Sequence, residues 1–181
     1  MTQVIGLMGE KLAGKDTAAE YLITKYGAAH VRTSQILDEL LAVLGLPITR
    51  RNEIEVGRGI ETVFGSHAIG EAVMHRVKQQ TGDLVVINGL RMKDQFEDAR
   101  NLGATILYIT APADLRYQRH LKRDGKSKDG EITLEQFKVQ DQEWTEKLIP
   151  ELGAQADTRI DNTGSVEELQ KKLDEIISNL K

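Results

Sequence analysis

The chain has 181 residues, with 24 basic and 28 acidic side chains, a formal net charge of −4, and 40% hydrophobic and 29% charged residues. That length suits one domain, and the charge balance supplies no basic field of the kind nucleic-acid binding uses. Cysteine is absent, which excludes a disulfide framework, a zinc–thiolate site and a thiol nucleophile and fits a reducing compartment. No stretch reaches the roughly 18 apolar residues of a membrane helix. The opening Met1–Gly9 lacks a basic region and is cut by glycines, unlike a secretory signal. A cytoplasmic chain with no membrane or nucleic-acid partner is expected.

Val4–Met8 is a short apolar run that ends in glycine and predicts a strand. Gly14–Tyr26 follows as a helix with Ala18, Ala19, Leu22 and Ile23 on one face, and Ala28–Arg32 is a candidate second strand. Ser34–Leu44 reads as a helix stopped by Gly45-Leu46-Pro47. Asn52–Phe64 and Ser66–Gln80 predict two more helices, separated by Gly65. Leu84–Ile87 is continuously apolar and rich in β-branched residues, the pattern of a strand buried on both faces of a parallel sheet. Met92–Leu102 predicts a helix and Ala104–Thr110 another buried strand; Pro112 then opens a helix where its missing N–H costs nothing. Asp124–Gly130 is polar and glycine-flanked and predicts a mobile loop. Thr133-Leu134-Glu135-Gln136 is a capping box opening a helix to about Ile149. Thr158–Asp161 is a short last strand, and Ser165-Val166-Glu167-Glu168 caps a C-terminal helix. Strands alternate with helices throughout, which predicts a three-layer α/β/α, doubly wound parallel sheet of five strands. Periodicity carries no information on strand order.

The segment Gly9-Glu10-Lys11-Leu12-Ala13-Gly14-Lys15-Asp16-Thr17 joins the first strand to the first helix. Glycines at its two ends let backbone N–H groups curl around phosphate oxygens, the helix N-terminus adds partial positive charge, and Lys15 can reach the β- and γ-phosphates of a nucleotide. Its position at a strand–turn–helix junction makes the signal strong. Gly9, Lys11, Leu12, Ala13, Gly14, Lys15, Asp16 and Thr17 are therefore candidate ATP-binding residues. Asp16 stands where a Ser or Thr hydroxyl usually binds Mg²⁺, with a hydroxyl one place later at Thr17. Asp16 either binds the metal through water or caps the helix and complements its dipole. Asp16 and Thr17 are the metal candidates, and Lys11 is a second loop cation or a solvent-facing side chain.

On these residues the chain resembles the nucleoside monophosphate kinase group of P-loop proteins, which includes adenylate kinases, dephospho-coenzyme A kinases and phage-type deoxynucleoside monophosphate kinases. Gly14-Lys15-Asp16-Thr17 looks like the phage-type enzymes, and His30–Leu37 is similar to the segment that receives the acceptor nucleotide. Asn88-Gly89-Leu90-Arg91 resembles an Asp-Gly-X-(Pro)-Arg motif after the third strand, and Ala156–Ser165 resembles the strand and loop that cover adenine. The resemblance spans nearly the whole chain and implies a P-loop NTPase fold with a small helical lid. It places an acceptor-binding insert at about 33–82 and the lid at about 116–140 of one kinase domain. It departs at Gln35 and Asn88, where relatives carry carboxylates that organise metal or acceptor.

The implied activity transfers the γ-phosphate of ATP, with Mg²⁺, onto a nucleoside or deoxynucleoside monophosphate; dephospho-coenzyme A kinase and a non-catalytic ATP-binding sensor or assembly factor are alternatives. Lys15, Arg91, Arg119 and Arg123 are the catalytic candidates. Arg116, Arg119 and Arg123 recur on one helical face, in the place where the related kinases carry lid arginines. The resemblance assigns Asn162 and Gly164, with Arg119, to the ATP side. Thr33, Ser34, Arg50, Arg58 and Arg91 are the acceptor-side candidates, with Arg51 beside them, and Asp38 and Glu39 are available as bases. A small-molecule nucleotide substrate and a monomer or homodimer are expected. His30, His67, His75 and His120 show no metal-ligand spacing, and Trp144 reads as core or lid packing.

Overall fold

A computed structural model describes residues 2–122, 132–143 and 146–180. Arg123, the loop predicted at Asp124–Gly130 and Trp144 lie outside the described residues. The elements in chain order are β1 (Gln3–Met8), α1 (Lys15–Tyr26), β2 (Ala29–Arg32), α2 (Thr33–Val43), α3 (Arg50–Phe64), α4 (Ala68–Lys78), β3 (Leu84–Leu90), α5 (Lys93–Asn101), β4 (Thr105–Thr110), α6 (Ala113–Leu121), α7 (Leu134–Gln140), α8 (Ile149–Gly153), β5 (Thr158–Asp161) and α9 (Val166–Leu180).

The five strands are all parallel, in the order β2-β3-β1-β4-β5. Each core strand sends alternate side chains to opposite faces, as the pleat requires. Val85, Ile87, Ile106 and Tyr108 join Val73, Val77, Phe96, Ile149 and Leu152 in one core, under α4, α5 and α8. Leu84, Val86, Leu107 and Ile109 join Ala18, Leu22, Leu169, Leu173 and Ile177 in the other, under α1 and α9. Ile5, Leu7, Ile87 and Ile106 are fully buried, which explains why these strands read as unbroken apolar runs. The fold is therefore the expected α/β/α doubly wound sheet. No helix among the described residues is long and apolar enough to cross a membrane.

Both predicted capping boxes form. Gln136 N–H donates to Thr133 Oγ1 at 3.2 Å and Thr133 N–H to Gln136 Oε1 at 2.8 Å. Glu168 N–H donates to Ser165 Oγ at 3.3 Å, and Ser165 N–H returns to Glu168 Oε2. The α1 and α9 helices are clasped by Asp174, which accepts from Tyr21, Lys25 and Tyr26.

The single helix expected from Thr133 to about Ile149 is two helices, α7 ending at Gln140 and α8 beginning at Ile149. Pro150 fits in the first turn of α8, where its missing N–H costs nothing. Beyond Gln140, Asp141, Glu143 and Glu146 lie against arginines described below.

Chain order and sheet order diverge at β1, which lies between β3 and β4. Open α/β sheets bind ligands at such a point, outside the carboxyl ends of the strands. Residues 9–14 leave β1 there. Beside them β1 and β3 slip register: Leu7 pairs with Asn88 but Met8 with Leu90, and Gly89, with φ of +101°, absorbs the extra residue.

Candidate active site

The turn after β1 is tight because side chains are excluded from its ends. A Cβ on Gly9 would stand 1.9 Å from the Ile109 carbonyl oxygen, and one on Gly14 2.3 Å from Asn162 Nδ2. Both glycines also have positive φ, +149° and +118°. Leu12, at φ +62°, is the one non-glycine residue with positive φ among the described residues. Alternation of right- and left-handed residues in such a turn forms a concave row of amides suited to anions. Ala13 N–H closes the turn on Glu10 O at 3.1 Å. Tyr108 O–H donates to Glu10, tying the turn to β4; that bond and burial, the larger cause, push the phenol up to about 12.

Lys15 opens α1 and is buried, with Nζ donating to Gly9 O at 2.6 Å and Glu10 O at 2.8 Å. Burial, reinforced by the Arg91 cation, lowers its pKa to about 7. Asn88 is buried and donates through Nδ2 to Asp16 Oδ1 at 3.0 Å. Asn88 thus orients the carboxylate at 16 instead of supplying one of its own. Asp16 and Thr17 are exposed at the head of α1. No cluster of three potential metal-ligating side chains exists among the described residues. A cation there would take protein ligands from Asp16 and Thr17 and the rest from phosphate and water, the usual habit of Mg²⁺.

Two cavities flank the turn and share Leu12, Lys15 and Asp16. One, of about 460 Å³, is completed by Gly14, Thr17, Arg119, Asn162, Gly164, Ser165, Val166 and Leu169. Arg119 donates to Leu12 O, Ala13 O and Asn162 O at 3.1, 3.2 and 2.7 Å, and burial lowers its pKa. Asn162 Nδ2 in turn donates to Ala13 O at 2.8 Å. Arg116, on the same helix, is engaged differently, being buried and paired in fork geometry with Asp141 at 2.9 and 2.6 Å. Arg123 lies outside the described residues.

The other cavity, of about 310 Å³, is lined by Lys11, Thr33, Ser34, Arg50, Asn88 and Arg91 and by one face of α3. Arg50, Glu53, Ile54, Gly57 and Glu61 are that face, since helical residues three and four apart lie above one another. Arg58 is one residue off the stripe, exposed and not part of the lining, and Arg51 is likewise exposed and off it. Thr33 Oγ1 is buried with no hydrogen-bond partner among the described residues, a group placed to meet a ligand. Asp38 pairs with Arg32 at 3.0 Å. Glu39 accepts from Arg76 and Gln35. Neither carboxylate lines the cavity.

Arg91 follows the β3 bulge, and its N–H donates to Gln95 Oε1 at 3.1 Å. Its guanidinium pairs with Glu146, and burial followed by the Arg50 cation lowers its pKa to about 10. Arg50 pairs with Glu143 Oε2 at 2.8 Å and Glu146 Oε1 at 3.3 Å. Sequence reasoning missed Glu143 and Glu146. Their segment, Asp141-Gln142-Glu143-Trp144-Thr145-Glu146-Lys147, carries no motif that could have found them.

No family model matches the chain. An UPF0200/UPF0201 protein of Archaeoglobus fulgidus is 27% identical over 183 residues, covering 98% of this chain but 56% of its own length. UPF0200 proteins of Thermococcus gammatolerans and Sulfurisphaera tokodaii are 28% and 25% identical, covering 98% and 99% of this chain and 93% and 98% of their own. Among solved structures, shikimate kinase from Acinetobacter baumannii in complex with shikimate superposes with a TM-score of 0.63 at 19% identity, over 100% of this chain and 96% of that one. TT1252 from Thermus thermophilus gives 0.63 at 19% identity, over 99% and 98%. At such identity the likeness is one of fold alone, the five-stranded parallel α/β/α sheet that this chain shares with shikimate kinase.

Proposed function

We propose that this chain is an ATP-dependent phosphotransferase whose acceptor is a nucleoside or deoxynucleoside monophosphate. The observation that carries the reading is the Lys15 turn standing between two cavities, with Arg119 and Asn162 on one side and Arg50 and Arg91 on the other. Phosphoryl transfer asks a protein for alignment and for positive charge around the transferring group, and for little covalent chemistry. In this reading the 9–17 turn and Arg119 hold the triphosphate, with Asn162 and Gly164 beside the base. Lys15 turns from the carbonyls of Gly9 and Glu10 to the β- and γ-phosphates. Arg91 and Arg50 hold the acceptor phosphate, for which a guanidinium fork is matched, and Thr33 and Ser34 bond the acceptor nearby. Mg²⁺, held between Asp16, Thr17 and the phosphates, would supply charge neutralisation. A phosphate acceptor needs no strong base, so no base role is assigned to the carboxylates near the cavity.

The test is an ADP-release assay with ATP and Mg²⁺ against ribo- and deoxynucleoside monophosphates, dephospho-coenzyme A and shikimate, with products identified by mass spectrometry. Turnover with a nucleoside monophosphate supports the reading, and turnover with a hydroxyl acceptor alone replaces it. ATP binding without transfer to any acceptor supports the sensor alternative.

A further inference from the structure

The segment between α7 and α8 is fastened at both ends. Before it, Asp141 is locked to buried Arg116 by two hydrogen bonds of 2.9 and 2.6 Å. Behind it, Ile149 and Leu152 are buried in the core beneath α4 and α5. Two glutamates between these anchors reach the two arginines of the acceptor-side cavity: Glu143 meets Arg50, and Glu146 meets both Arg50 and Arg91. Glu146 is 3% exposed, whereas Glu143 is 36% exposed. The second oxygen of Glu146, Oε2, is buried with no hydrogen-bond partner among the described residues. A glutamate recruited only to orient an arginine would be expected to use both oxygens on donors, because burying an unpaired one is costly.

Carboxylates and phosphates offer guanidinium groups the same arrangement of oxygens. Arg50 and Arg91 meet at one Glu146 oxygen, in a cavity whose wall carries Lys15 and Arg32 as well as the carboxylates of Asp16, Glu53 and Glu61, and Glu143 and Glu146 offset the mutual repulsion of the two arginines. We infer that Glu143 and Glu146 form an intramolecular stand-in for the acceptor's phosphate, a strap that occupies Arg50 and Arg91 at rest and is displaced when the acceptor binds. This rests on the reading of Arg50 and Arg91 as the acceptor's anion subsite. The strap is self-inhibitory in the competitive sense: apparent affinity for an anion at this subsite falls by the fraction of molecules in which the arginines are free.

The test uses the full chain and inorganic phosphate as probe, without ATP or acceptor. Titration calorimetry compares wild type, Glu143→Gln, Glu146→Gln and the double variant, each checked for an intact far-UV spectrum and melting transition. Should Glu146→Gln fail to fold, Glu143→Gln, at the more exposed position, carries the test alone. If the arginines are engaged in nine molecules of ten, the double variant binds phosphate about tenfold more tightly, and adding Arg91→Ala erases the gain. Unchanged or weakened phosphate binding in the glutamine variants overturns the strap and makes the glutamates positioning groups. A gain that survives Arg91→Ala also overturns it, because the phosphate would then lie elsewhere. The acceptor panel fails or succeeds independently: tighter phosphate binding without any turnover would leave the strap standing and remove the kinase reading.

Discussion

Lys15→Met tests the electrostatics of the turn most directly. Its Nζ is enclosed and bonded only to two carbonyl oxygens among the contacts described above, and burial, with Arg91 nearby, takes its pKa from the usual 10.5 to about 7. At 1.36 kcal/mol per tenfold change in the proton equilibrium, that fall weighs roughly 5 kcal/mol against the charged form in the folded state. The sign follows from proton counts. Between about pH 7 and 10.5 the unfolded chain holds the Lys15 proton and the folded chain has released it, so stability rises with pH across that window. Below pH 7 both states are protonated and the cost is present in full. Methionine keeps the length and apolar contacts of the stem without the charge. Urea unfolding at pH 6.5 and 9 should therefore find the variant more stable than wild type at pH 6.5, by a margin that shrinks by about 2–3 kcal/mol at pH 9. Taking the difference between the two proteins cancels other groups, including Arg91, that titrate higher. A margin that is the same at both pH values would refute the reasoning. Wild type should also take up close to one proton on binding ATP at pH 8, seen as a buffer-dependent binding enthalpy, and Lys15→Met should not.

Arg91→Ala should raise the acceptor KM by roughly thirty- to a hundredfold, the worth of one or two charge-assisted hydrogen bonds, while the ATP dissociation constant stays within about twofold; equal weakening of both ligands in binding assays would remove the acceptor assignment. Arg116→Ala removes two charge-assisted hydrogen bonds to Asp141, which keeps 22% of its side chain exposed, and should cost about 1.5–3 kcal/mol in urea unfolding. Gly153→Ala would put a Cβ 2.6 Å from the Tyr108 ring, whose hydroxyl is held by Glu10. Overpacking of this kind should cost about 2 kcal/mol and weaken nucleotide binding, since α8 would press on the side chain that braces the turn.

What could be read from the sequence alone was whatever depends on near neighbours along the chain. Buried parallel strands need apolar residues on both faces, so Leu84–Ile87 and Ala104–Thr110 declared themselves. Helix starts depend on four consecutive residues, and the Thr133 and Ser165 boxes formed as predicted. The 9–17 turn was legible for the same reason, its glycines, lysine and helix start being contiguous. Tertiary structure decided whatever depends on distant partners. Strand order follows from which edges pair across the sheet, and periodicity is silent on that. Arg116 and Arg119 share a helical face in sequence, yet Asp141 captures one and the carbonyls of Leu12, Ala13 and Asn162 the other. Arg50 and Arg58 both looked suited to an acceptor, but the cavity meets only the stripe that contains Arg50. Glu143 and Glu146 carry no signal in their own segment and reach Arg50 and Arg91, about ninety and fifty-five residues away. Charge pairing across such separations is set by how the sheet brings loops together, because a side chain's partner is a matter of distance in space and a sequence pattern records only distance along the chain.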